Sequence, residues 1–412
     1  MFLRQIAVIV TVVLMAIASR GIYADDSTSP GAAANWPHWR GPLASGVAPN
    51  ASPPIEWSRD KNIAWVADLP GEGASTPIIW GDRIFLTAAI RTDQKVDTPP
   101  DPQSKTLPPG FVYRFEVLCL NRSDGKIIWQ RTAIAQAPHD GIHPSHTYAS
   151  GSPTTDGKQL YVSFGSQGNF CYTLDGELVW QRDLGKMRTR YGWGEATTPV
   201  VHDGKLVINW DHEDDSSIYV LNTTDGSTIW QKPRPDEPTS WATPLVVSAG
   251  DRELVVVQGT GLVRAYDLKT GDVVWSCGGQ SVNAIPSPVQ YKDSVICMSG
   301  YRQSVVHSIP IAAKGDLTDS KQIRWSSYRG TPYVPSPVIS EHRLYFTRTN
   351  TGLLSCLNAE TGEMLYEPQR LPEVRSMYAS PLVAGGHVYF VSRSGTTTVI
   401  KDSDQFDVVA SN

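Results

Sequence analysis

Apolar residues along this chain come in short runs separated by turn residues, most regularly between Thr243 and Trp275. Four runs rich in Val, Tyr and Trp are separated by turns such as those at Gly250 and Gly271. Alternating β-branched and aromatic residues are typical of strands, and short Gly- and Asp-containing turns are typical of hairpins. This stretch therefore predicts a four-stranded antiparallel sheet, which cannot bury both of its faces alone.

The same unit recurs along the chain. A Ser/Thr-Pro pair opens each unit, and from the second proline onward the spacings are 46, 45, 44, 49 and 44 residues. The prolines are Pro77, Pro153, Pro199, Pro244, Pro288, Pro337 and Pro381. The closing aromatic residues are Trp129, Trp180, Trp230, Trp275, Trp325 and Tyr366. A four-stranded repeat of about 40–50 residues is typical of a β-propeller blade, so we predict an all-β propeller.

One strand in the pattern lacks a blade of its own. The segment from Lys61 to Trp65 has the features of a blade's last strand, but no three strands precede it. The seventh unit, which starts at Pro381, already supplies four strand candidates. We therefore predict seven complete blades plus a partial eighth, and both a seven- and an eight-bladed ring stay open, with the eight-bladed plan favoured.

The repeat unit resembles the PQQ (pyrroloquinoline quinone) type of propeller repeat. That repeat is found in quinoprotein dehydrogenases and in non-catalytic outer-membrane assembly lipoproteins. The chain is also similar to secreted, planctomycete-type PQQ-like propeller proteins, through the block from Trp36 to Pro42 and through blocks at residues 209–213, 236–244 and 331–337. The resemblance covers nearly the whole chain after the leader. It implies the fold and the family but no agreed activity.

Residues 1–24 are predicted to be a secretory signal peptide. Arg4 supplies the positive start, an apolar run extends from Ile6 to Ala18, and Ala24 is a small residue before the expected cleavage point. An uncleaved anchor is the alternative, but the run is shorter than the ~20 apolar residues that span a bilayer. No cysteine follows it, which argues against a lipoprotein. We expect a periplasmic or secreted protein with no stable membrane span after leader cleavage.

The remaining chain divides into two parts. Residues 25–54 are predicted to form a linker and an N-terminal Trp-rich cap, and residues 55–412 a single propeller domain. The cap block at Trp36 is read as a structural latch in preference to a ligand-stacking surface, since Trp is usually well buried.

Charge limits the class of partner. The chain has 36 basic and 41 acidic side chains, and loss of Arg4 and Arg20 with the leader takes the formal net charge from −5 to −7. This balance argues against a nucleic-acid partner. We expect a monomer that binds an unknown protein or glycan.

The side chains that precede the Ser/Thr-Pro pairs are the main candidates for a binding site. They lead into the innermost strands beside the central channel, so we expect them to converge on one rim. The candidates are His146, Tyr148, Arg190, Trp193, Glu195, Trp241, Asn283, Tyr333, Arg375 and Tyr378. Aromatic rings with arginine and a carboxylate suit a polar, ring-bearing or sugar-like ligand. The alternative is that these side chains only fill the funnel.

Metal sites have weaker candidates. His139, His143 and His146 lie close together in a loop, but a Pro-containing loop gives no fixed ligand geometry. Asp211, Glu213 and Asp215 form an acidic cluster without the spacing or the glycine of a calcium loop. For both groups we favour a polar loop or a solvated, salt-bridged turn over a metal.

Known catalytic signatures are not found in the sequence. It contains no GxSxG, HExxH, P-loop or CxxC motif. The resemblance to quinoprotein dehydrogenases implies adjacent paired cysteines and a calcium ion held by Glu and Asn beside a catalytic Asp. No Cys-Cys pair is present, and the spacing of Glu195, Asn283 and Asp211 does not match. No cofactor is assigned, and PQQ with calcium is a minor alternative.

Cysteine positions follow the repeat. Cys119, Cys171 and Cys356 fall at the same place in their units, in the third strand, which indicates a small buried side chain in preference to a disulfide.

Three functions remain. The preferred one is an exported, non-enzymatic binding or interaction module that acts through its central funnel and rim. The alternatives are a PQQ-dependent alcohol or sugar dehydrogenase with an atypical site, and an envelope assembly scaffold.

Overall fold

Seven antiparallel sheets follow one another along the chain in the computed structural model, which describes residues 34–412. The predicted signal peptide and the first linker residues lie outside the described part. Within it, no helix is long and apolar enough to cross a membrane. A two-residue strand, β1 (Val47–Ala48), precedes the first blade in the chain and joins the sheet of the last one.

Each sheet is one blade, built from strands that are consecutive in the chain. Blade 1 consists of β2 (Ile78–Trp80), β3 (Arg83–Lys95), β4 (Phe111–Asn121) and β5 (Ile127–Gln136). Blade 2 consists of β6 (Thr154–Thr155), β7 (Gln159–Ser163), β8 (Asn169–Thr173) and β9 (Leu178–Arg182). Blade 3 consists of β10 (Val200–His202), β11 (Lys205–Trp210), β12 (Ser217–Asn222) and β13 (Thr228–Pro233).

The other four blades repeat this order. Blade 4 consists of β14 (Leu245–Ala249), β15 (Arg252–Gln258), β16 (Val263–Asp267) and β17 (Val273–Cys277), joined by β21 (Gly315–Asp316). Blade 5 consists of β18 (Val289–Tyr291), β19 (Ser294–Ser299), β20 (Val305–Pro310) and β22 (Trp325–Ser327). Blade 6 consists of β23 (Val338–Ser340), β24 (Arg343–Thr347), β25 (Leu353–Asn358) and β26 (Met364–Arg370). Blade 7 consists of β27 (Leu382–Ala384), β28 (His387–Val391), β29 (Thr397–Lys401) and β30 (Val408–Ser411).

The recurring tryptophan joins each blade to the next one. The Trp129 indole N–H donates to the Leu174 carbonyl at 3.0 Å, and the ring lies against Gly176 of the following blade. A Cβ atom built on Gly176 would sit 2.7 Å from the indole, and this glycine has φ +84. The turn therefore needs glycine both for its backbone conformation and for the space that the ring occupies. Trp180 repeats the contact with the Thr223 carbonyl at 2.8 Å.

The hydrophobic core is divided into inter-blade layers. Six of the eight clusters of buried apolar residues join consecutive blades, from blades 1 and 2 through to blades 6 and 7. The other two stay separate on either side of the seam between blade 7 and blade 1. One lies on β3 and β4 against Ala67, and the other lies on blade 7 against Ile55 and Trp57.

The lone outer strand of the sequence pattern lies at this seam. Trp65 donates its indole N–H to the Arg122 carbonyl at 2.9 Å, and a Cβ atom on Gly125 would lie 2.4 Å from its ring. This is the relation that Trp129 has to blade 2. Residues 61–70 belong to none of the seven sheets, and Val66 is 86% exposed. The seven blades are thus confirmed, and Trp65 makes the contact that the outer strand of a further blade would make.

The Trp-rich cap crosses one end of the channel. Trp36 exchanges two backbone hydrogen bonds with Ile79 of blade 1, at 2.9 and 2.8 Å. Further along, the Gly46 carbonyl accepts a bond from Val383, and β1 pairs in parallel with β27. The cap therefore ties blade 1 to blade 7, which is the geometry of a latch.

All five cysteines lie in the described part, where they are buried and free. Cys119, Cys171 and Cys356 occupy the third strands β4, β8 and β25, as the repeat predicts. Burial raises the pKa of the Cys119 thiol to about 11. These side chains are therefore unreactive packing residues.

Candidate functional site

The Ser or Thr before each repeated proline takes part in a chain of bonds around the axis. The Thr76 N–H donates to the Ser152 hydroxyl at 2.9 Å, and the Ser152 N–H donates to the Thr198 hydroxyl at 3.1 Å. The same bond joins Thr243 to Ser287, Ser287 to Ser336, and Ser336 to Ser380. The Ser or Thr of the repeated Ser/Thr-Pro pair therefore forms hydrogen bonds that join neighbouring blades.

These residues surround an axial cavity of about 620 Å³. Small-molecule sites typically enclose about 300–1,000 Å³. Five of the ten predicted rim residues line the cavity, namely His146, Trp193, Trp241, Tyr333 and Tyr378. The cap contributes three more lining residues, which are Trp36, Trp39 and Arg40. The structure thus brings five of the ten rim candidates together at one cavity.

A tryptophan pair forms one wall of the cavity. The rings of Trp193 and Trp241 stack with centroids 6.3 Å apart, and the Trp241 indole N–H donates to the Gly194 carbonyl at 2.7 Å. His143 meets the Trp193 ring edge-on at 6.2 Å. Trp241 lines the cavity, and its indole N–H is already bonded to Gly194. What it offers a ligand is therefore the ring, which suits stacking on a planar or sugar ring.

A tyrosine group forms another part of the wall. Tyr301 and Tyr333 lie with ring centroids 4.9 Å apart. Burial raises the pKa of the Tyr333 hydroxyl, although the amide of Asn283 and the charge of Arg190 oppose the rise. This hydroxyl therefore stays protonated at neutral pH and is available as a hydrogen-bond donor.

His146 is neutral and has a free acceptor atom. Its Nδ1 lies 2.6 Å from the Thr147 carbonyl, which can only accept, so Nδ1 carries the proton. Burial lowers the pKa of the imidazole, and the buried Nε2 has no hydrogen-bond partner. The side chain thus offers an unused acceptor beside the cavity.

Glu195 and Tyr148 lie in a second, smaller cavity of about 30 Å³ instead of the axial one. The Glu195 carboxyl group accepts bonds from the Ser166 N–H and hydroxyl, both at 2.6 Å. Enclosure in this cavity raises the pKa of Glu195 to about 7 despite those two donors. Tyr148 donates to the Asp140 carbonyl at 3.1 Å. These contacts join the loop segments that carry Glu195 and Tyr148 to Ser166 and Asp140.

The other three rim candidates lie outside the lining of the axial cavity. Asn283 is buried with φ +60, and its amide has no well-formed hydrogen bond, although it lies beside Tyr333. Arg190 is half-buried near Tyr333, and Arg375 is exposed. Asn283 and Arg190 therefore act on the lining through Tyr333.

The candidate metal ligands have other partners. Asp211 is fully buried and forms a two-pronged ion pair with Arg234, at 2.7 and 3.1 Å. Glu213 accepts bonds from Thr239, and Asp215 is exposed. The ring of His139 bonds the Met187 carbonyl at 2.9 Å instead of pointing toward the other histidines. Across residues 34–412, no three His, Cys, Asp or Glu side chains are grouped to hold a metal ion.

The residues present do not fit a quinone-calcium centre of the kind that the resemblance implies. Glu195 is held by Ser166 in the smaller cavity, and Asp211 is neutralised by Arg234. Asn283 is enclosed beside Tyr333. The three side chains that would hold calcium and act on substrate are thus in three different environments, with their polar atoms already committed or enclosed.

Sequence reasoning missed several residues around the cavity. Tyr301 and Arg302 lie in the hairpin between β19 and β20, and Arg393 lies in the hairpin between β28 and β29. In a four-stranded antiparallel blade, the second hairpin faces the same end as the connection to the next blade. That alternation is the signal in the sequence that places these hairpins at the same end as the inter-blade connections.

Comparison with known proteins identifies the family. Residues 114–336 and 318–405 match the family described as outer membrane protein assembly factor BamB. Among curated proteins, a tetrathionate hydrolase of Acidithiobacillus ferrooxidans is 23% identical over 357 residues, which span 80% of this chain and 65% of that protein. The chain therefore spans about two thirds of the length of this relative.

Solved structures share the fold at low identity. A europium-containing methanol dehydrogenase superposes with a TM-score of 0.52 at 10% identity, with 89% of each chain covered. The computationally designed Ika8 protein gives 0.50 at 11% identity, covering 77% of this chain and 87% of its own. BamB from Moraxella catarrhalis gives 0.49 at 14% identity, covering 79% and 90%. At these identities the likeness concerns the fold alone.

Proposed function

The chain belongs to the BamB family of PQQ-like propellers, and we propose that it is an exported, non-enzymatic module that binds a small ring-bearing ligand in its axial cavity. One observation carries the proposal: a cavity of about 620 Å³ is lined by six aromatic side chains. These are Trp36, Trp39, Trp193, Trp241, Tyr333 and Tyr378. Aromatic walls with a few polar groups are typical of sites for small ligands.

The polar groups around the cavity favour binding over catalysis. The Ser and Thr hydroxyls that line it, such as those of Ser152 and Ser336, accept bonds from neighbouring blades and so act as structural links. His146 is fixed to the Thr147 carbonyl through Nδ1, and its Nε2 is buried in the wall of the cavity. These groups can orient a ligand. The hydroxyls of Ser150 and Ser145 contact His146 and His143 at 3.1 and 2.7 Å, but no Asp or Glu side chain among residues 34–412 lines the cavity to complete a triad with either pair.

The setting of this function is the cell envelope or the medium. The predicted signal peptide supports export to the periplasm or beyond, and the family description supports an envelope role. A scaffold that binds an envelope protein through the same rim is the second candidate, favoured by the family match alone.

Tryptophan fluorescence of the purified chain tests the proposal. Oligosaccharides and planar aromatic acids are titrated separately. We expect at least one of these probes to quench the fluorescence in a saturable way. Trp193→Leu should abolish the change, because it removes half of the stacked pair. Trp57→Leu is the matched control, since Trp57 stacks on Tyr389 on the outside of blade 7. Quenching that survives in Trp193→Leu would place the binding site elsewhere.

A second titration addresses the dehydrogenase alternative. PQQ with calcium should give no saturable change in absorbance and no rise in melting temperature, because the expected calcium ligands are dispersed. A saturable quinone spectrum that is lost in Trp193→Leu would overturn the non-enzymatic proposal in favour of quinone chemistry.

A further inference from the structure

Three arginines surround the tyrosine side of the cavity, and we infer from them that the ligand is anionic: a sugar ring that bears carboxylate or sulfate groups. The arginines are Arg190, Arg302 and Arg393, called here the arginine mouth. This inference rests on the proposed function, whose ligand class it makes more specific.

Each arginine of the mouth lies over a tyrosine ring. The guanidinium carbons of Arg190 and Arg302 lie 5.5 and 5.2 Å from the ring centroids of Tyr191 and Tyr301. Arg393 lies 4.5 Å from the centroid of Tyr378, which lines the cavity. A guanidinium stacked on a ring face keeps its N–H edge free, and that edge matches a carboxylate or sulfate in a two-pronged bond.

Tyr333 connects the three arginines of the mouth. Tyr301 packs on Tyr333 with centroids 4.9 Å apart. Tyr333 also interacts electrostatically with the Tyr378 hydroxyl and with the charge of Arg190. Tyr333 and Tyr378 both line the axial cavity. The three positive charges are therefore grouped around one side of one opening.

No carboxylate of the described chain neutralises the mouth. Ion pairs between residues 34 and 412 involve other arginines, which are Arg83, Arg114, Arg188, Arg234, Arg264, Arg324 and Arg343. Other arginines of the described chain, such as Arg370, also form no ion pair, so the distinguishing feature of these three is their grouping near one opening. Such a group favours the binding of an anion.

The floor of the cavity carries a fourth positive charge. Arg40 is 3% exposed, and its hydrogen bonds go to backbone carbonyls, including those of Ser45 and Pro381. Its Nε is buried without a partner. Carbonyl groups satisfy a guanidinium only in part, so burial lowers the pKa of Arg40 to about 9. An anion in the cavity would therefore interact favourably with both ends of it.

The wall and the mouth together specify a ring with an acidic group. The stacked Trp193 and Trp241 supply ring surface, as sugar recognition requires. A neutral sugar would use this surface and leave the arginines unpaired. An acidic peptide would use the arginines but would place no ring on the tryptophans.

Matched oligosaccharides test the inference. The probes are trigalacturonic acid and its trimethyl ester, which differ in charge, together with a sulfated galactose trimer and its desulfated form. We expect each acid to bind at least tenfold more tightly than its neutral partner, with an affinity that falls as NaCl is raised. The ratio between the two acids distinguishes carboxylate from sulfate as the preferred group.

Variants assign the effect to the mouth. Arg190→Gln and Arg393→Gln should each weaken acid binding about tenfold, as expected for the loss of one charge-assisted pair, and weaken the binding of the neutral probes by much less. Arg370→Gln is the matched control, since Arg370 is exposed at the end of β26 on the outside of blade 6. It should change neither affinity.

Several outcomes would overturn the inference. Equal binding of acid and ester would do so while leaving the proposed function intact, provided that Trp193→Leu abolishes both. Equal binding of hexaglutamate and trigalacturonate would show that the site does not require a sugar ring and accepts an acidic peptide. Failure of every ring-bearing probe to bind would count against the proposed function as well.

Discussion

The stacked rings of Trp193 and Trp241 belong to the connections that enter two different blades, and their planes are 29° apart. Trp193 precedes blade 3 and Trp241 precedes blade 4. The bond from the Trp241 indole to the Gly194 carbonyl, 2.7 Å long, fixes this pair. A surface made by two blades is therefore held as rigidly as the blades themselves, which pre-organises it for a ring-shaped ligand.

Trp241→Phe separates stacking from hydrogen bonding. The phenyl ring keeps an aromatic face beside Trp193, but the Gly194 carbonyl loses its donor, so the free energy of unfolding should fall by about 1 kcal/mol. Trp241→Ala should lower it by about 2 kcal/mol or more, since it also removes the packed ring. Urea unfolding measures both values. Equal losses in the two variants would show that the ring contributes no packing.

Glu195 predicts a pH dependence of stability. Its pKa is raised to about 7 by enclosure, so the native state binds this proton more tightly than the unfolded chain does. Its contribution to stability is fully present below about pH 4.5 and is lost as the pH rises toward and past 7. The shift corresponds to at most about 3 kcal/mol.

Glu195→Gln should reduce this loss. The amide has no charge to bury, so the fall in unfolding free energy between pH 5 and pH 8 should be smaller than in the wild type. Burial also raises the pKa of Glu237 to about 7, so a residual slope is expected. Urea titrations at the two pH values measure it, with the exposed Glu177→Gln as the control. An unchanged slope would contradict the assignment.

The buried ion pair of Asp211 and Arg234 predicts a large loss on substitution. Both side chains are fully buried, and Asp211→Asn removes the two-pronged partner of Arg234, which within the described chain keeps only Glu237, at 3.7 Å, as a carboxylate neighbour. The free energy of unfolding should fall by about 3–5 kcal/mol. Asp293→Asn is the matched control, because its pair with Arg324 is exposed and should contribute less than about 1 kcal/mol. Similar effects of both variants on thermal unfolding would show that the buried pair contributes no more to stability than the exposed pair.

Trp65 and Trp180 make the same contact in different surroundings. Trp180 is 7% exposed and packs within the core between blades 2 and 3, so Trp180→Ala should lower stability by about 3–5 kcal/mol. Trp65 lies at the seam beside exposed residues such as Val66, so Trp65→Ala should lower it by less.

A local measurement distinguishes the two tryptophans further. Trp65→Ala should raise hydrogen exchange mainly in the turn at Gly125, on which the ring rests. Trp180→Ala should raise it throughout blades 2 and 3. Global exchange in Trp65→Ala would mean that the seam segment is an integral part of the ring.

Part of the candidate site could be predicted from the repeat alone. Because every blade enters the ring through the same Ser/Thr-Pro step, Trp193, Trp241 and Tyr333 had to approach the axis. Glu195 follows the same rule in sequence, yet its carboxyl group is bonded to Ser166 in a separate cavity. Side-chain direction within a loop depends on neighbours that come from other blades, which periodicity does not encode.

The sequence by itself determined the repeat, the strand order and the seven-fold recurrence, because alternating strands and Gly-containing turns are local properties. It also indicated the lone strand that carries Trp65. Only the tertiary structure decided that Asp211 pairs with Arg234, that Arg40 reaches the floor of the cavity and that Arg393 stacks on Tyr378. Each of these contacts joins separate segments of the chain, and the closed path of the ring brings them together.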